Sequence, residues 1–320
     1  MEIVRIGGRR YSDPDIISLA RQTGELICPR FTIKMMAKLL LEELSSFSGL
    51  PRAPFERLTI LASLKGIKLK PMDVERQHNE KRDAVLYPLQ SGRMILYNPN
   101  RPKSRVLFTL AHEIIHTLFP NSTGGVRFRS MTNPDSREAS ELERLCDLGA
   151  AELVLPFEEF QEVANGNYSL SNISTLSDHF GTSFEATTYR LASAHPGVAV
   201  AGLLRYRRRV NEERQAIRVS SQKSLFRPQQ NTDQPAPRKY RRQSLHVSEQ
   251  CETKHNIPWN KSFDLNSVVY RAQRDHIMSA IEPLPNSTKK CGRIEAIIAP
   301  YQREDADSDF KDVLFFWEQV

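Results

Sequence analysis

The first part of the chain carries apolar residues at spacings of three and four, the period of a helix that buries one face. Residues 13–50 follow this pattern, and we predict that they are largely helical. One glycine and two prolines within residues 48–54 interrupt the pattern and indicate a boundary. A helix over residues 55–65 is predicted next, and short apolar or alternating runs predict strands at residues 67–71, 83–88 and 94–97.

Two apolar segments in the middle of the chain end at prolines, as helices often do. Residues 106–119 are strongly apolar up to Pro120, and residues 140–155 keep a helical spacing up to Pro156. One or two further helices are predicted between residues 169 and 194. Later segments predict a polar loop over residues 220–237 and strands at residues 198–206, 240–247, 267–272, 293–299 and 313–317.

The length of the chain, 320 residues, is about twice that of a typical domain. We therefore predict an α+β protein in three parts. These parts are a helical N-terminal segment over residues 1–54, a mixed domain over residues 55–195, and a β-rich domain over residues 196–320 that senses a signal or docks a substrate.

No run of the sequence is apolar and long enough to serve as a signal peptide or a membrane span, so we expect a cytoplasmic protein without a membrane partner. The four cysteines form no CxxC pair, which is typical of reduced thiols rather than of a disulfide framework or a thiolate zinc site. A bound metal is thus expected to use mainly nitrogen and oxygen ligands.

Positive charge is concentrated in one segment of the chain. The net charge is +7, whereas residues 205–242 hold twelve Lys or Arg against three acidic residues. Tyr206 and Tyr240 lie among these cations, an arrangement that could pair phosphates and stack bases. Contact with DNA is one hypothesis for this segment. The alternatives are the solvated face of two strands and a surface that docks an acidic part of a protein substrate.

The first apolar helix contains an HExxH motif, His112-Glu113-Ile114-Ile115-His116. Its two histidines are one helical turn apart, so they project from one face and can share a zinc ion. A catalytic zinc site uses three protein ligands, and the metal lowers the pKa of water to about 7. Glu113 can then act as the general base. The alternative is a core helix with two hydrogen-bonded histidines.

The second apolar helix is the expected source of the third ligand. Glu143 can complete a His₂Glu site, and Asp147, one turn further, can accept the other ring N–H of a ligand histidine. Glu138 and Glu141 are rival ligands, although neither has an aspartate one turn further on. The small residues at 149–151 favour a close approach of the two helices.

The pairing of these two helices resembles the ImmA/IrrE metallopeptidases, a gluzincin-like family. Residues 105–116, RVLFTLAHEIIH, are similar to the family pattern rFTLAHExxH. Residues 143–156, ERLCDLGAAELVLP, are similar to its pattern ExxANxFAAxLLMP. The resemblance implies a zinc centre, in which manganese is a possible substitute, with the ligands His112, His116 and Glu143, the base Glu113, and Asp147 as the hydrogen-bond partner of a ligand.

Three residues of the second helix depart from the family pattern. Cys146 stands where the family usually has alanine, Asp147 where it often has asparagine, and Gly149 where it usually has an aromatic residue. None of these changes removes a ligand. Cys146 is about one turn from Glu143, so a thiolate ligand is conceivable, but we favour a small buried core thiol.

The family resemblance implies an endopeptidase that acts on a protein substrate, often a helix-turn-helix transcriptional repressor cut in a stress or mobile-element response. The alternative is a DNA-binding regulator with a non-cleaving peptidase-like fold, against which the intact Glu113 argues. A structural zinc module would need a fourth protein ligand, and none is evident in the sequence. The group that stabilises the oxyanion stays open between Tyr97, Tyr189 and His195.

Overall fold

The computed structural model describes residues 3–6, 9–21, 28–48, 53–73, 83–119, 127–129, 137–221, 236–251, 255–272, 276–285, 291–301 and 310–320. The chain forms two compact units. The first comprises residues 1–159 and 177–183, and the second comprises residues 160–176 and 184–320. The functional division predicted at residues 54 and 195 stays a prediction.

Helices make up most of the described part of the first unit. They are α1 (Pro14–Arg21), α2 (Pro29–Ser48), α3 (Pro54–Leu64), α4 (Lys103–His116) and α5 (Arg137–Val154). The predicted helical character of residues 13–50 is confirmed as two helices. The first of them begins where the Asp13 carboxylate accepts the backbone N–H groups of Asp15 and Ile16, at 2.8 and 3.2 Å.

Two small sheets complete the first unit. One pairs β1 (Val4–Ile6) with β2 (Arg9–Tyr11). The other has the order β3-β5-β4-β6 and consists of β3 (Ile67–Pro71), β4 (Ala84–Pro88), β5 (Arg93–Tyr97) and β6 (Arg127–Arg129). Gly92, in the turn between β4 and β5, adopts a φ of 95°. A side chain at this position would also meet the Gly66 carbonyl oxygen at 2.5 Å, so glycine is required.

The core of the first unit lies around α4 and α5. Helix α4 is buried along nearly its whole length, as its continuous apolar sequence predicts. Helix α5 is amphipathic and turns one face toward this core. The buried side chains of the two helices include Leu107, Leu110, Ile114, Ile115, Leu142, Leu145, Ala150 and Leu153.

The second unit is rich in β-structure. Its sheet is antiparallel throughout, with the order β8-β7-β11-β10-β9. The strands are β7 (Ala199–Arg207), β8 (Lys239–Val247), β9 (Met278–Pro283), β10 (Cys291–Ile298) and β11 (Val313–Gln319). The remaining α-helices among the described residues are α6 (Phe157–Ala164), α7 (Ile173–Phe180), α8 (Phe184–Ala194), α9 (Val210–Ser221) and α10 (Val268–Arg271). This architecture confirms the α+β fold with a sheet-rich C-terminal part.

The strand predicted at residues 267–272 is wrong, because this segment forms the short helix α10. Val268 and Val269 are fully buried against the sheet core, and the Glu282 carboxylate accepts the Val268 backbone N–H at 2.9 Å. A helical turn buries two adjacent apolar residues as well as a strand does, so the apolar run alone was ambiguous. Most of the predicted loop over residues 220–237 lies outside the described residues.

The sequence pattern also gave no indication of α6, α9 and β9. In β9 the exposure alternates along the strand, with Ile281 among the exposed positions. An edge strand with an exposed isoleucine and a terminal proline does not show the usual pattern of inward apolar residues. Among the described helices, none has the length and apolarity needed to cross a membrane.

Candidate metal centre

The candidate centre lies where α4 meets α5. The α4 histidines are one turn apart and almost completely buried, with exposed fractions of 1% for His112 and 3% for His116. The Glu113 side chain is buried beside them. The apolar sequence of α4 puts these three polar groups inside the core, where a polar group needs a partner.

Three donor groups converge between the helices. The Nε2 atoms of His112 and His116 lie 3.0 Å apart. The Glu143 carboxylate faces both, with Oε2 3.1 Å from Nε2 of His112 and Oε1 3.4 Å from Nε2 of His116. Partial burial raises the pKa of the Glu143 carboxyl, but its hydrogen bonds and charge interactions with the two imidazoles outweigh burial and lower the pKa well below its usual value.

The other nitrogen of each imidazole has a partner on α5. His112 Nδ1 lies 2.9 Å from the Asp147 carboxylate. His116 Nδ1 lies 3.4 Å from the sulfur of Cys146. The Nε2 atoms therefore face each other and Glu143, while the Nδ1 atoms face side chains that can accept a hydrogen bond.

This donor set fits a divalent metal ion. Two Nε2 atoms at 3.0 Å and a carboxylate that faces both are the nitrogen and oxygen donors that zinc binds. The donor atoms of His112, His116 and Cys146 lie within 4.8 Å of one another, so this group could also hold a metal. The Glu113 Oε2 atom is buried and has no hydrogen-bond partner among the described residues. Such a buried acceptor is expected where a water or a substrate group is to be bound.

The structure brings together four of the predicted site residues, His112, His116, Glu143 and Asp147, and buries the fifth, Glu113, on the same helix as the histidines. Their roles as ligands, base and ligand partner stay predictions. The rival ligand Glu141 contacts Arg30 at 3.4 Å and Arg144 at 3.2 Å. The side chain of Glu138, the other rival, lies outside the described residues.

The contacts of Tyr97, Tyr189 and His195 do not show which of them would stabilise the oxyanion. Tyr97 packs its ring against Phe55. Tyr189 and His195 belong to the second unit, where their partners include Glu185 and Glu318. We therefore assign no residue to this role.

The contact between Cys146 and His116 is the feature of the site that sequence reasoning missed. The available signal was the spacing of Glu143, Cys146 and Asp147, because positions i, i+3 and i+4 share one face of a helix. The cysteine was interpreted as a core thiol because it replaces an alanine of the family pattern. It is indeed fully buried, yet its sulfur faces a polar ring nitrogen.

Two comparisons with known proteins found similarity to this chain. One solved structure with a similar fold is a Mycobacterium tuberculosis transcriptional regulator, with a TM-score of 0.53 and 13% sequence identity over 95% of this chain and 81% of that one. No curated protein sequence matches the chain significantly. The model of the Peptidase_M78 family, described as the IrrE N-terminal-like domain, matches residues 62–192. The chain therefore contains a Peptidase_M78 domain of the IrrE N-terminal-like type over residues 62–192.

Proposed function

We propose that the protein is a zinc-dependent endopeptidase. The observation that carries this proposal is the convergence of His112 Nε2, His116 Nε2 and the Glu143 carboxylate beside the buried Glu113. The family supports the same reaction class, since its name and pattern are those of metallopeptidases. The function thus rests on the site and the family together.

Each residue of the site has a distinct task in this proposal. His112, His116 and Glu143 would hold the metal, which polarises a substrate carbonyl and activates water. Asp147 fixes the orientation of the His112 ring through Nδ1. Glu113 accepts a proton from the attacking water and delivers it to the leaving amine. Its buried Oε2, which lacks a hydrogen-bond partner among the described residues, is the atom that is available for this transfer.

Zinc is the metal that suits this donor set best, because it accepts imidazole nitrogen and carboxylate oxygen in a site of three protein ligands. Manganese is the alternative, since it also accepts these donors, but it prefers more oxygen ligands than the helices offer. The physiological substrate in this proposal is a protein, and the family resemblance favours a helix-turn-helix repressor in a stress or mobile-element response.

The rival function is a DNA-binding regulator that has kept the peptidase fold without cleaving. The structural neighbour is called a transcriptional regulator, although its 13% identity shows the fold alone. A protein that no longer cleaves would not need Glu113, whose carboxylate is costly to keep in a core. The presence of Glu113 therefore favours the enzyme.

The test compares the wild-type protein with Glu113→Gln, and Glu141→Gln serves as the control on the second helix. Each purified protein is incubated with zinc and a panel of helix-turn-helix repressors. Bound zinc is measured by elemental analysis and fragments by mass spectrometry. We expect Glu113→Gln to keep stoichiometric zinc and to produce no fragments, while the control keeps both. Equal cleavage by Glu113→Gln would contradict the assigned base, and a zinc-loaded wild type that cuts nothing would favour the regulator.

A further inference from the structure

An exposed tryptophan in the second unit is surrounded by positive charge. Trp259 is 52% exposed, although tryptophan is usually mostly buried. The guanidinium carbon of Arg242 lies 4.7 Å from the centre of its ring, and that of Arg207 lies 5.7 Å away. We call these three residues the Trp259 cluster. Both distances fall within the range of cation–π interactions.

The two arginines of the Trp259 cluster are held in place by neutral groups. Arg242 donates to the Ile257 carbonyl at 2.8 Å and to the Asn256 side-chain oxygen at 2.6 Å. Arg207 donates to the Arg242 carbonyl at 2.8 Å. Among the described residues, no carboxylate forms an ion pair with either arginine. The described residues thus fix these two charges in position without neutralising them.

Other arginines near the cluster do have acidic partners. Arg208 lies 3.5 Å from Glu213, and Arg209 and Arg241 each lie 3.7 Å from Glu212. The acidic residues of α9 therefore neutralise one part of the basic segment and leave the Trp259 cluster positive. Because the carboxylates of α9 pair with some arginines and not with those of the Trp259 cluster, we interpret the cluster as a binding surface rather than as the solvated face of two strands.

The register of β7 with β8 places like charges opposite each other, which is unfavourable. In the pairing of β7 with β8, Arg205 lies opposite Arg241, and Arg207 lies opposite Lys239. Like charges directly opposite each other destabilise a sheet. Arg205 and Arg241 are offset by Asp312 and Glu212, at 3.6 and 3.7 Å, whereas no carboxylate among the described residues pairs with Arg207 or Lys239. The uncompensated pair lies at the end of the edge strand, where a polyanion can offset its charge.

We propose that the Trp259 cluster binds single-stranded nucleic acid. A base stacks on the exposed indole ring, and the neighbouring phosphates pair with Arg207 and Arg242. A single strand is favoured over a duplex because its bases are free to stack on a protein ring. Nucleic acid is favoured over an acidic protein surface because a carboxylate gains little from an exposed indole, whereas every base has a ring face.

The test measures binding of a fluorescein-labelled oligo(dT) of about 20 nucleotides, longer than the site of one such domain, by fluorescence anisotropy of the full chain. We expect Trp259→Ala to weaken binding about five- to a hundred-fold and Trp259→Phe to retain most of it, because stacking needs an aromatic ring. The double substitution Arg207→Gln and Arg242→Gln should lower the slope of log affinity against log salt by about 1.4, or about 0.7 for each lost phosphate contact.

A matched control and a competitor complete this test. Arg271 is an exposed arginine of the same unit that pairs with Glu282 at 3.0 Å, so Arg271→Gln should leave binding unchanged. Binding should also quench the emission of Trp259, since the other tryptophan, Trp317, is fully buried. The proposal is overturned if oligo(dT) does not bind at low salt or if Arg271→Gln weakens it equally. It is also overturned if poly-glutamate competes equally well and Trp259→Ala has no effect, which would indicate an acidic protein partner.

A second and independent observation concerns Cys146. Its sulfur contacts Nδ1 of His116, and the Nε2 atom of the same ring faces His112 and Glu143. The two ring nitrogens lie on different edges of an imidazole. The sulfur therefore meets the edge of His116 that is turned away from the facing Nε2 atoms.

The geometry points to Cys146 as a positioning residue for His116 rather than as a metal ligand. The Nδ1–H of His116 donates to the sulfur, which fixes the tautomer with the lone pair on Nε2, the atom that would bind the metal. Asp147 does the same for His112 at 2.9 Å, so adjacent residues of α5 hold the two histidines. This inference rests on the metal site of the proposed function.

The test uses cobalt, which replaces zinc and shows its ligands in its absorption spectrum. We expect wild-type protein to bind Co²⁺ without a near-ultraviolet thiolate charge-transfer band. Cys146→Ala should weaken cobalt binding about ten- to a hundred-fold, and Cys146→Ser, whose hydroxyl can accept the Nδ1–H, should restore most of it.

Three other outcomes would each contradict a specific role of Cys146 or of the metal site. A thiolate band that disappears in Cys146→Ser would make Cys146 a ligand and overturn the positioning role. Unchanged affinity in Cys146→Ala would make it an ordinary core residue. A wild-type protein that binds no cobalt would remove the metal site itself, and the proposed function would fail together with this inference.

Discussion

Gly149 and Ile115 set the distance between the two helices of the candidate metal centre. A Cβ atom at position 149 would lie 2.9 Å from both Cδ1 and Cγ2 of Ile115, closer than carbon atoms can approach without movement. Glycine lowers helix stability by about 1 kcal/mol relative to alanine. The helix accepts this cost, and the donor groups on α4 and α5 come within contact distance of one another.

This contact predicts the effect of Gly149→Ala. Alanine normally stabilises a helix interior, but here we expect a lower melting temperature and weaker metal binding, because the helices must move apart. Thermal unfolding and cobalt titration measure the two effects. Adding Ile115→Val removes the Cδ1 atom from the clash and should recover part of the loss. A higher melting temperature for Gly149→Ala alone would contradict the close contact.

Substitution of the proposed third ligand should distinguish the roles of two glutamates on the same helix. Glu143→Gln should lose zinc severely, because the amide is a poor ligand and the site keeps only two imidazoles. Glu141→Gln should keep zinc, since Glu141 contacts Arg30 and Arg144 instead. Elemental analysis after dialysis gives the comparison. Zinc loss in the Glu141 variant alone would reassign the ligand.

The aspartate that contacts His112 should tune metal affinity without being essential for folding. We expect Asp147→Ala to weaken metal binding about ten- to a hundred-fold, the usual effect of removing the partner of a ligand histidine. Asp147→Asn should be milder, because its amide oxygen still accepts the Nδ1–H. A competition titration with a metal-binding dye measures both, and Asp178→Ala, at an exposed position of the same unit, is the control. Equal affinities in all three variants would exclude a role for Asp147.

A half-buried ion pair in the first unit predicts a pH dependence of stability. Arg57 donates two hydrogen bonds to Glu159, at 2.7 and 2.8 Å. Burial raises the pKa of Glu159, but Arg57, and to a lesser extent His179, lower it below its ordinary value of 4.5. The folded pKa is therefore below the unfolded one, so this pair stabilises the fold above pH 4.5 and the contribution is lost as the pH falls through the folded pKa.

Glu159→Gln should consequently be less stable than wild type by about 1–2 kcal/mol near pH 7. The difference should shrink as the pH falls below 4.5. Urea unfolding at several pH values measures it. In an Arg57→Gln background the effect of Glu159→Gln should be much smaller at every pH, and a difference that persists there would place its cause elsewhere.

A buried carboxylate in the second unit should be important for stability rather than for activity. Glu295 accepts hydrogen bonds from the Leu170 backbone N–H at 2.6 Å and from the Ser169 hydroxyl at 2.8 Å, and it pairs with Arg293 at 3.0 Å. We expect Glu295→Ala to lower the free energy of unfolding by about 2–3 kcal/mol, because donors lose a buried charged acceptor. Chemical denaturation measures the loss, and the exposed Glu249→Ala should change stability little.

Sequence patterns predicted most elements whose burial is continuous. The strand at residues 313–319, for example, matches the predicted residues 313–317 closely, because its first five residues are apolar and buried. The strand at residues 67–71 is not continuously buried, and its alternation of apolar and charged residues predicted it instead. The failures occurred where tertiary contacts override the local pattern. Val268 and Val269 form a helix because Glu282 supplies an acceptor at its first turn and the sheet core buries both valines.

Local spacing by itself determined which residues of the candidate site share a helix face. His112 and His116 are four residues apart, as are Glu143 and Asp147, and a helix turns by the same angle whatever surrounds it. Only the tertiary structure decided that these two faces meet, that Glu143 rather than Glu141 reaches the imidazoles, and that Cys146 lies against His116. These contacts depend on how two helices that are separated in sequence pack together. Their packing depends on side-chain shape at contacts such as that of Gly149 with Ile115. The spacing of residues along one helix does not determine such contacts.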